Sequence, residues 1–277
     1  MTFWLCNRGV VGEYPFHTMG YILTQPATAP ESLLATVHEP VDVSVVVPVH
    51  DEAGAAVILA REIAAAFEGW SYEMIFVNDA SRDNTLELLQ AAKAELPRLR
   101  VLTHEQNAGQ SRAVRTGLIA ARGDVVVTLD GDGQNPAYEA PRLAKALMEA
   151  PSTVGLVGGR RVKRQDSEAK RFASLWANRI RKKLLKDDAD DTGCGLKAIR
   201  RQVFLALPYF DHFHRYLPAL VMREGFENRY LDVDHRHRET GRSKYTNWGR
   251  LRASVSDLLG VMWLKSRARP IGSVREL

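Results

Sequence analysis

Apolar positions organise the reading of this chain. Val43-Ser-Val-Val-Val-Pro-Val49 is a nearly continuous apolar run, the pattern of a strand buried on both faces. Residues 55–67 then carry apolar side chains at helical spacing, Tyr72-Glu-Met-Ile-Phe-Val77 returns to a buried strand, and Thr85 to Glu95 reads as a helix. A short strand follows at Val101–Thr103, then a helix from Ser111 to Ala121 opened by an Asn-Ala-Gly turn at 107–109. Next come a strand at Asp124–Leu129, a helix at Pro141–Met148 and a strand at Val154–Val157. Strands alternating with helices predict an α/β fold, with a mostly parallel, Rossmann-like central sheet and helices on both faces.

After residue 160 the pattern changes. A basic helix is expected from Glu168 to Leu185, then a Gly-bracketed turn at Asp191-Thr-Gly-Cys-Gly195. Helices at Arg200–Ala206 and Tyr216–Glu224, a strand at Tyr230–Val233 and an amphipathic helix from Asn247 to Lys265 complete the set. Residues 1–40 show no sustained periodicity and read as a poorly ordered extension, with Met19 as an alternative natural start. The expected organisation is therefore an extension at 1–40, a main domain at 41–245, and a C-terminal amphipathic helix and tail at 246–277.

Composition changes this picture in two ways. The cysteines are Cys6 and Cys194, too few for a disulfide framework and in keeping with a reducing cytosol. No basic-then-apolar leader and no run of about 18 apolar residues is present, so the expectation is a cytoplasmic protein without a spanning helix. The net charge of +5 is modest but uneven. Arg160 to Lys186 is dense in Arg and Lys, interrupted only by Asp166 and Glu168. Such a block suits a phosphate-bearing partner or an anionic membrane surface, and equally a solvated helix face.

Ligands of parallel sheets bind beyond the carboxyl ends of strands, and the polar motifs lie there. The first strand ends in Pro48-Val-His-Asp51-Glu52 and the second in Asn78-Asp-Ala-Ser81-Arg-Asp83-Asn-Thr85. Acidic side chains on such loops can accept hydrogen bonds from nucleobase N–H groups and ribose hydroxyls. For Asp83 or Asn84, capping of the next helix is the plainer role; it fits Asp79 less well. Gly109 either lets the backbone approach a ligand or simply turns the chain. Asp130-Gly-Asp132-Gly-Gln134 follows the fourth strand. Two carboxylates one residue apart suit a hard cation, Mg²⁺ or Mn²⁺, that holds the diphosphate of an activated nucleotide donor and acts as a Lewis acid on it. A Gly-rich turn with solvated Asp residues is the alternative. Arg236-His-Arg238-Glu-Thr-Gly-Arg-Ser-Lys244-Tyr245 has the donors of a phosphate clamp, with His235 or His237 either near the metal or merely structural.

Together these stretches resemble the family 2 glycosyltransferases of GT-A fold, and within them the dolichyl-phosphate mannosyltransferase group of polyprenyl-phosphate sugar synthases. The resemblance runs over about residues 43–265 and rests on Val45–Glu52, Val77–Thr85, Asn107-Ala-Gly109, Ala121–Asp124, Asp130–Gln134, Asp191–Gly195 and Arg238–Lys244. It departs from the common pattern at His50-Asp51, Asn78, Gly133 and Gly159. The resemblance implies that Pro48, His50, Glu52, Asp79 and Asn107 hold the nucleoside, and that Asp130, Asp132 and Gln134 bind metal and diphosphate. It also implies that Arg160, Lys170, Arg171 and Ser174 meet the acceptor phosphate, and that Asp132, Arg238 and Lys244 act in transfer.

Transfer in that family inverts the anomeric centre by one in-line displacement. A hydroxyl acceptor needs a general base, whereas a lipid monophosphate is largely ionised near neutral pH. The acceptor side offers mainly Arg and Lys, so a polyprenyl phosphate is the expected acceptor, a nucleotide-sugar the donor, and the membrane a peripheral partner on its inner face. The counter-reading makes Asp191 a base for a glycan or glycolipid hydroxyl. A nucleotidyltransferase would need a basic Gly-rich loop after the first strand, which Val49-His-Asp-Glu-Ala-Gly54 lacks, and a dinucleotide enzyme would need Gly-x-Gly-x-x-Gly there. A non-catalytic basic adaptor for membrane or nucleic acid is the rival outside enzymes; with the motifs in place no nucleic acid is expected. The last helix places Trp248, Leu251, Val255, Leu258, Leu259, Met262 and Trp263 on or near one face, with Arg250, Arg252, Lys265 and Arg267 beside them. It can lie on a bilayer, pack on the domain, or join a second copy in a homo-oligomer.

Overall fold

The structure, a computed structural model, describes residues 41–162, 181–189, 191–236 and 247–269, with side chains in the last segment from 255 onward. Its elements are β1 (Val43–Val49), α1 (Ala56–Ala66), β2 (Tyr72–Asn78), α2 (Thr85–Ala92), β3 (Leu99–Thr103), α3 (Gln110–Ala120), β4 (Val125–Thr128), α4 (Ala140–Met148), β5 (Val154–Arg161), β6 (Lys197–Arg200), α5 (Arg201–Ala206), α6 (Leu217–Arg223), β7 (Glu227–Val233) and α7 (Asn247–Ser266). Single 3₁₀ turns stand at Ala137–Glu139 and Phe213–Arg215.

The strands form one seven-stranded sheet in the order β3-β2-β1-β4-β6-β5-β7. β1 pairs in parallel with β2 on one side and β4 on the other, and strand order reverses there, which opens a crevice above the carboxyl ends of β1 and β4. β1 is buried along its whole length because both its faces are covered. Val43, Val45, Val47 and Val49 point to one side and pack with Leu59 and Ile63 of α1 and Leu143 and Leu147 of α4. Val46 points to the other and packs with Val114 and Leu118 of α3 and Phe204 of α5. The period of two along the strand thus divides one apolar run between two cores.

β6 lies outside the sequence expectation. Only four residues long and half basic, Lys197-Ala-Ile-Arg200 has no apolar alternation of its own. It runs antiparallel between β4 and β5, and the helix expected from Arg200 begins one residue later. β5 extends to Arg161 and β7 begins at Glu227, both longer than their apolar cores suggested. The expectations for residues 1–40, for most of the basic helix, and for the side chains of Trp248, Arg250, Leu251 and Arg252 lie outside the described residues.

The apolar residues of α7 divide between two faces. Val261 is fully buried and Leu258, Met262 and Leu264 pack on the second core, whereas Val255, Leu259 and Trp263 are exposed. A single apolar stripe was expected; four-residue spacing instead sets Val255, Leu259 and Trp263 on an outward line.

At the edge of the sheet opposite the crevice, the carboxylate of Glu73 is buried. It accepts from Ser44 Oγ at 2.7 Å, Arg100 at 2.6 Å and the Arg122 amide at 2.8 Å. Ser44 Oγ also accepts from the amide of Gly123 at 2.9 Å. The cluster joins β1, β2 and β3 to the turn that leads into β4. Glu73→Ala leaves the buried Ser44 hydroxyl without its acceptor and the half-buried Arg100 guanidinium with only the Ala120 carbonyl, and we expect a loss of about 2 kcal/mol. Urea unfolding should show it as a lower midpoint with unchanged slope; a midpoint equal to wild type would deny the cluster this role.

Candidate active site

The loops after β1, β2 and β4 and the start of α3 converge above the crevice. Asp79 continues β2 by one residue, its amide bonded to the Val49 carbonyl at 2.8 Å. Its carboxylate is buried and accepts from the amides of Ala108 at 2.9 Å and Gly109 at 2.8 Å, while His104 Nδ1 lies 2.7 Å from it. His104 in turn reaches Thr116 of α3 at 2.9 Å. Asp79 therefore holds the Asn107–Gly109 turn in place. The Asn107 side chain donates to the Asp79 carbonyl at 3.2 Å, and His50 Nδ1 meets the same carbonyl at 2.8 Å. His50, Asp79 and Asn107, read separately from the sequence, form one hydrogen-bonded group.

The first two loops are tied by their own polar residues. Ser81 Oγ accepts from the Asp51 amide, Asp51 from the Arg82 amide, and Thr85 Oγ1 from the Glu52 amide. Asp83 accepts from the amides of Ala53 and Thr85. Desolvation opposes ionisation of Asp83, but the Thr85 and Ala53 hydrogen bonds outweigh it and hold the carboxyl below its usual range. Its bond to the first amide of α2 is the capping contact weighed above. Asp51 and Ala80, with φ of 52° and 54°, are left-handed positions without glycine, a cost borne where these loops must turn.

Asp130 and Asp132 follow β4, close against β1. A Cβ at Gly131 would lie 2.6 Å from the Pro48 carbonyl oxygen, so only glycine lets the two strand ends approach this far. Gln110, first residue of α3, donates to Asp130 Oδ1 at 2.8 Å, and the Gln134 amide donates to Asp132 Oδ1 at 3.1 Å. Burial, reinforced by the charge of Asp132, raises the Asp130 carboxyl above the usual carboxylate range, while Lys197 and Arg161 act in the opposite sense. Among the described residues, no group of three or more His, Cys, Asp or Glu side chains stands close enough to hold a metal by itself.

Beyond Asp130 opens a cavity of about 310 Å³, walled by Arg161, Asp191 to Gly195, Lys197, His214 and Arg215. Arg161 grips Asp191 through two nitrogens, at 2.6 and 2.7 Å, which occupies both carboxylate oxygens. Lys197 is buried at the floor and donates to the Cys194 carbonyl; burial pushes its ammonium down, with Cys194, Asp130 and Asp191 opposing. Burial also pushes the Cys194 thiol up. His214 Nδ1 lies 2.7 Å from Ser111 Oγ, and burial, with Arg215 and Lys197 nearby, takes its imidazole down to about 3.

Arg160 stands elsewhere. Strand parity turns it away from its neighbour, and its guanidinium bonds Asp232 at 2.6 Å on the exposed edge, so Arg161 enters the cavity in its place. Lys170, Arg171, Ser174, His237, Arg238 and Lys244 lie outside the described residues. Gln110, Arg161, Lys197 and His214 were not singled out from sequence; each is an isolated polar residue that only the topology brings to Asp130.

A model of glycosyl transferase family 2 matches residues 44–207, more than half of the chain. The chain belongs to this family. An undecaprenyl-phosphate 4-deoxy-4-formamido-L-arabinose transferase of Shewanella sediminis is 37% identical over 207 residues, 73% of this chain and 61% of the relative. That of Aeromonas hydrophila is 36% identical over 73% of this chain and 62% of its own length. The chain thus spans about three fifths of the relatives it matches. Among solved structures, a glucosyl-3-phosphoglycerate synthase from Mycobacterium tuberculosis in complex with Mn²⁺, UDP and phosphoglyceric acid superposes with a TM-score of 0.59 at 18% identity, covering 87% of this chain and 83% of that one. A mannosyltransferase from Pyrobaculum calidifontis in complex with GDP-Man and Mn²⁺ gives 0.58 at 20%, covering 87% and 70%. These likenesses establish the GT-A-like α/β fold.

Gly195 faces Asp130 so closely that an added Cβ would stand 2.1 Å from Asp130 Oδ2. In Gly195→Ala the short Asp130 side chain has to swing away while the backbone stays. We expect a loss of stability of about 1 kcal/mol, read as a lower midpoint of urea unfolding. An unchanged midpoint would mean that the turn and the Asp130 carboxyl are not packed this closely.

Proposed function

We propose that this glycosyltransferase moves a sugar from a nucleotide-sugar to a polyprenyl phosphate. The observation that carries the acceptor class is the Arg161–Asp191 pair. The guanidinium bonds both oxygens of Asp191, which commits this carboxylate to the ion pair rather than to an acceptor hydroxyl. His214, also on the cavity wall, has a proton affinity far too low to activate a hydroxyl near neutral pH, and Asp130 is assigned to the metal. A phosphate monoester needs no base, and Arg161, Lys197 and Arg215 surround it with positive charge. The undecaprenyl-phosphate specificity in the names of the Shewanella and Aeromonas relatives supports the same choice.

On the donor side, the loops bearing His50, Glu52, Asp79 and Asn107 receive the nucleoside. Asp130, Asp132 and the side-chain oxygen of Gln134 are hard oxygen donors that fit Mg²⁺ or Mn²⁺. Burial, and after it the charge of Asp132, raises the Asp130 carboxyl, and a divalent cation beside it would favour its ionised form. The ion supplies Lewis-acid stabilisation of the leaving diphosphate. Structural relatives are solved with Mn²⁺ together with UDP or GDP-Man, which supports a metal beside a nucleotide diphosphate here. Arg238 and Lys244 are assigned to the phosphates, with Lys170, Arg171 and Ser174 on the acceptor side. The acceptor phosphate oxygen attacks the anomeric carbon in line, and the nucleoside diphosphate leaves on the opposite face.

Assayed with UDP- and GDP-sugars, Mn²⁺ and short polyprenyl phosphates, the wild type should form a sugar-lipid phosphate. Asp132→Asn should lower turnover at least about a hundredfold and abolish the Mn²⁺ dependence of UDP binding, as EDTA should for the wild type. Transfer confined to hydroxyl acceptors would overturn the acceptor assignment. Activity indifferent to Asp130→Asn and Asp132→Asn would favour a non-catalytic adaptor.

α7 is the proposed membrane contact, on the cytoplasmic face. Among the described residues no helix is long and apolar enough to cross a bilayer, but Val255, Leu259 and Trp263 are exposed at 52%, 60% and 59%, and Arg267 lies over the Trp263 ring. An outward apolar line edged by cations fits the interface of an anionic leaflet. Cosedimentation with vesicles containing phosphatidylglycerol should fall at least about tenfold in the Val255→Ser, Leu259→Ser, Trp263→Ala variant. If sedimentation is unaffected while the oligomeric state changes, the face joins two copies instead.

A further inference from the structure

His214 sits on the wall of the cavity, and among the described residues one of its ring nitrogens, Nδ1, is engaged. Nδ1 is held by Ser111 Oγ at 2.7 Å, and Ser111 is itself buried in the first turn of α3. The preceding residue, Gln110, reaches Asp130 from the same turn. One helical turn therefore fixes both the Asp130 carboxylate and the orientation of the imidazole. With Nδ1 taken, Nε2 is the ring atom left to meet a ligand in the cavity. Either tautomer serves: the Ser111 hydroxyl donates to Nδ1 and leaves Nε2–H as donor, or it accepts from Nδ1–H and leaves Nε2 as acceptor.

Resting on the reading that Asp130 marks the diphosphate end of a nucleotide-sugar, we infer that His214, set by Ser111, is a specificity-determining contact for an uncharged polar substituent of the donor sugar, a hydroxyl or an amide. The phosphate of the acceptor is the competing ligand for this wall. It calls for cations, which Arg161, Lys197 and Arg215 already supply. An imidazole kept neutral by burial adds no charge to that set. It offers one directional hydrogen bond, which suits a hydroxyl or amide that can answer as donor or acceptor. A cavity of about 310 Å³ accommodates one pyranose ring beside a phosphate. Ser111 touches no ligand in this scheme and is a positioning residue.

The test is calorimetry with Mn²⁺ on the full chain, using UDP, GDP, UDP-glucose, UDP-galactose, UDP-xylose and GDP-mannose. The readout is the ratio of the affinity for each nucleotide-sugar to that for its bare nucleotide. His214→Phe should cut this ratio about tenfold for the best sugar and flatten the differences between sugars, while UDP or GDP affinity moves less than about twofold. Ser111→Ala should shift the ratio the same way by about threefold, and His214→Asn, which keeps a side-chain donor and acceptor, should restore part of it. Equal losses for nucleotide and nucleotide-sugar would make His214 structural and overturn the inference, as would an unchanged ratio. A change seen only in the KM for polyprenyl phosphate would place His214 on the acceptor and overturn it too. A wild type that binds none of these nucleotides would overturn the donor reading itself, a result distinct from any of the variant outcomes.

Discussion

The direction of β6 is the constraint on which the cavity depends. Thr128 pairs with Lys197 and Gly158 with the same residue, both antiparallel. The beginning of β6 therefore lies beside the ends of β4 and β5. Parallel neighbours would place like ends together and keep Lys197 at the far side of the sheet. The antiparallel insertion instead brings the Asp191–Gly195 turn over Asp130 and sets Arg161 and Lys197 on its flanks. Gly195 completes the arrangement because no side chain fits between the turn and the Asp130 carboxyl. A crevice that strand reversal at β1 and β4 would leave open on one side is thereby walled.

Two of the cations gathered by this geometry, Lys197 and Arg161, stand beside carboxylates. Lys197 and Asp130 are both disfavoured as ions by burial, and each lessens the other's penalty. Arg161 and Asp191 satisfy each other in a bidentate pair. The pair is nearly inaccessible, and its Coulomb attraction is weighed against the cost of removing both groups from water, so its main effect is to fix the turn rather than to add much stability. A fixed wall with charged groups already oriented leaves little reorganisation for a reaction at this site.

The parallel half of the sheet was legible in the sequence because strands buried on both faces leave long apolar runs, and β1 and β2 are such runs. The motifs at their ends were legible for the same reason: a carboxylate directly after a buried strand has a defined place. β6 left no such trace. Its four residues include Lys197, turned toward the cavity floor, and Arg200, whose guanidinium donates to the carbonyls of Val154, Leu147 and Ala150. Both long side chains are spent on tertiary contacts that no local pattern encodes. Arg160 and Arg161 show a second limit. Either could enter the cavity, and the choice follows from the register of β5 against β6 and β7, which sequence does not state. Asp79 shows a third: a residue placed correctly at a strand end proves to have its carboxylate committed to the neighbouring turn.

The wall that carries His214 is also tied to the C-terminal helix. His212 adopts φ of 64°, a left-handed conformation that costs a residue with a Cβ about 1 kcal/mol or more. Its own ring secures it: Nδ1 meets Asp257 of α7 at 3.0 Å. Farther along the same helix, Arg223 donates to the Leu264 carbonyl at 3.1 Å and Lys265 donates to the Leu185 carbonyl. Among the described residues, Val261 is buried between these ties and Leu258, Met262 and Leu264 pack on the domain beside it. That occupancy is why Val255, Leu259 and Trp263 remain outside. The strained corner two residues before His214 is thus held by the same helix whose Val255, Leu259 and Trp263 face outward, so α7 positions this side of the cavity wall.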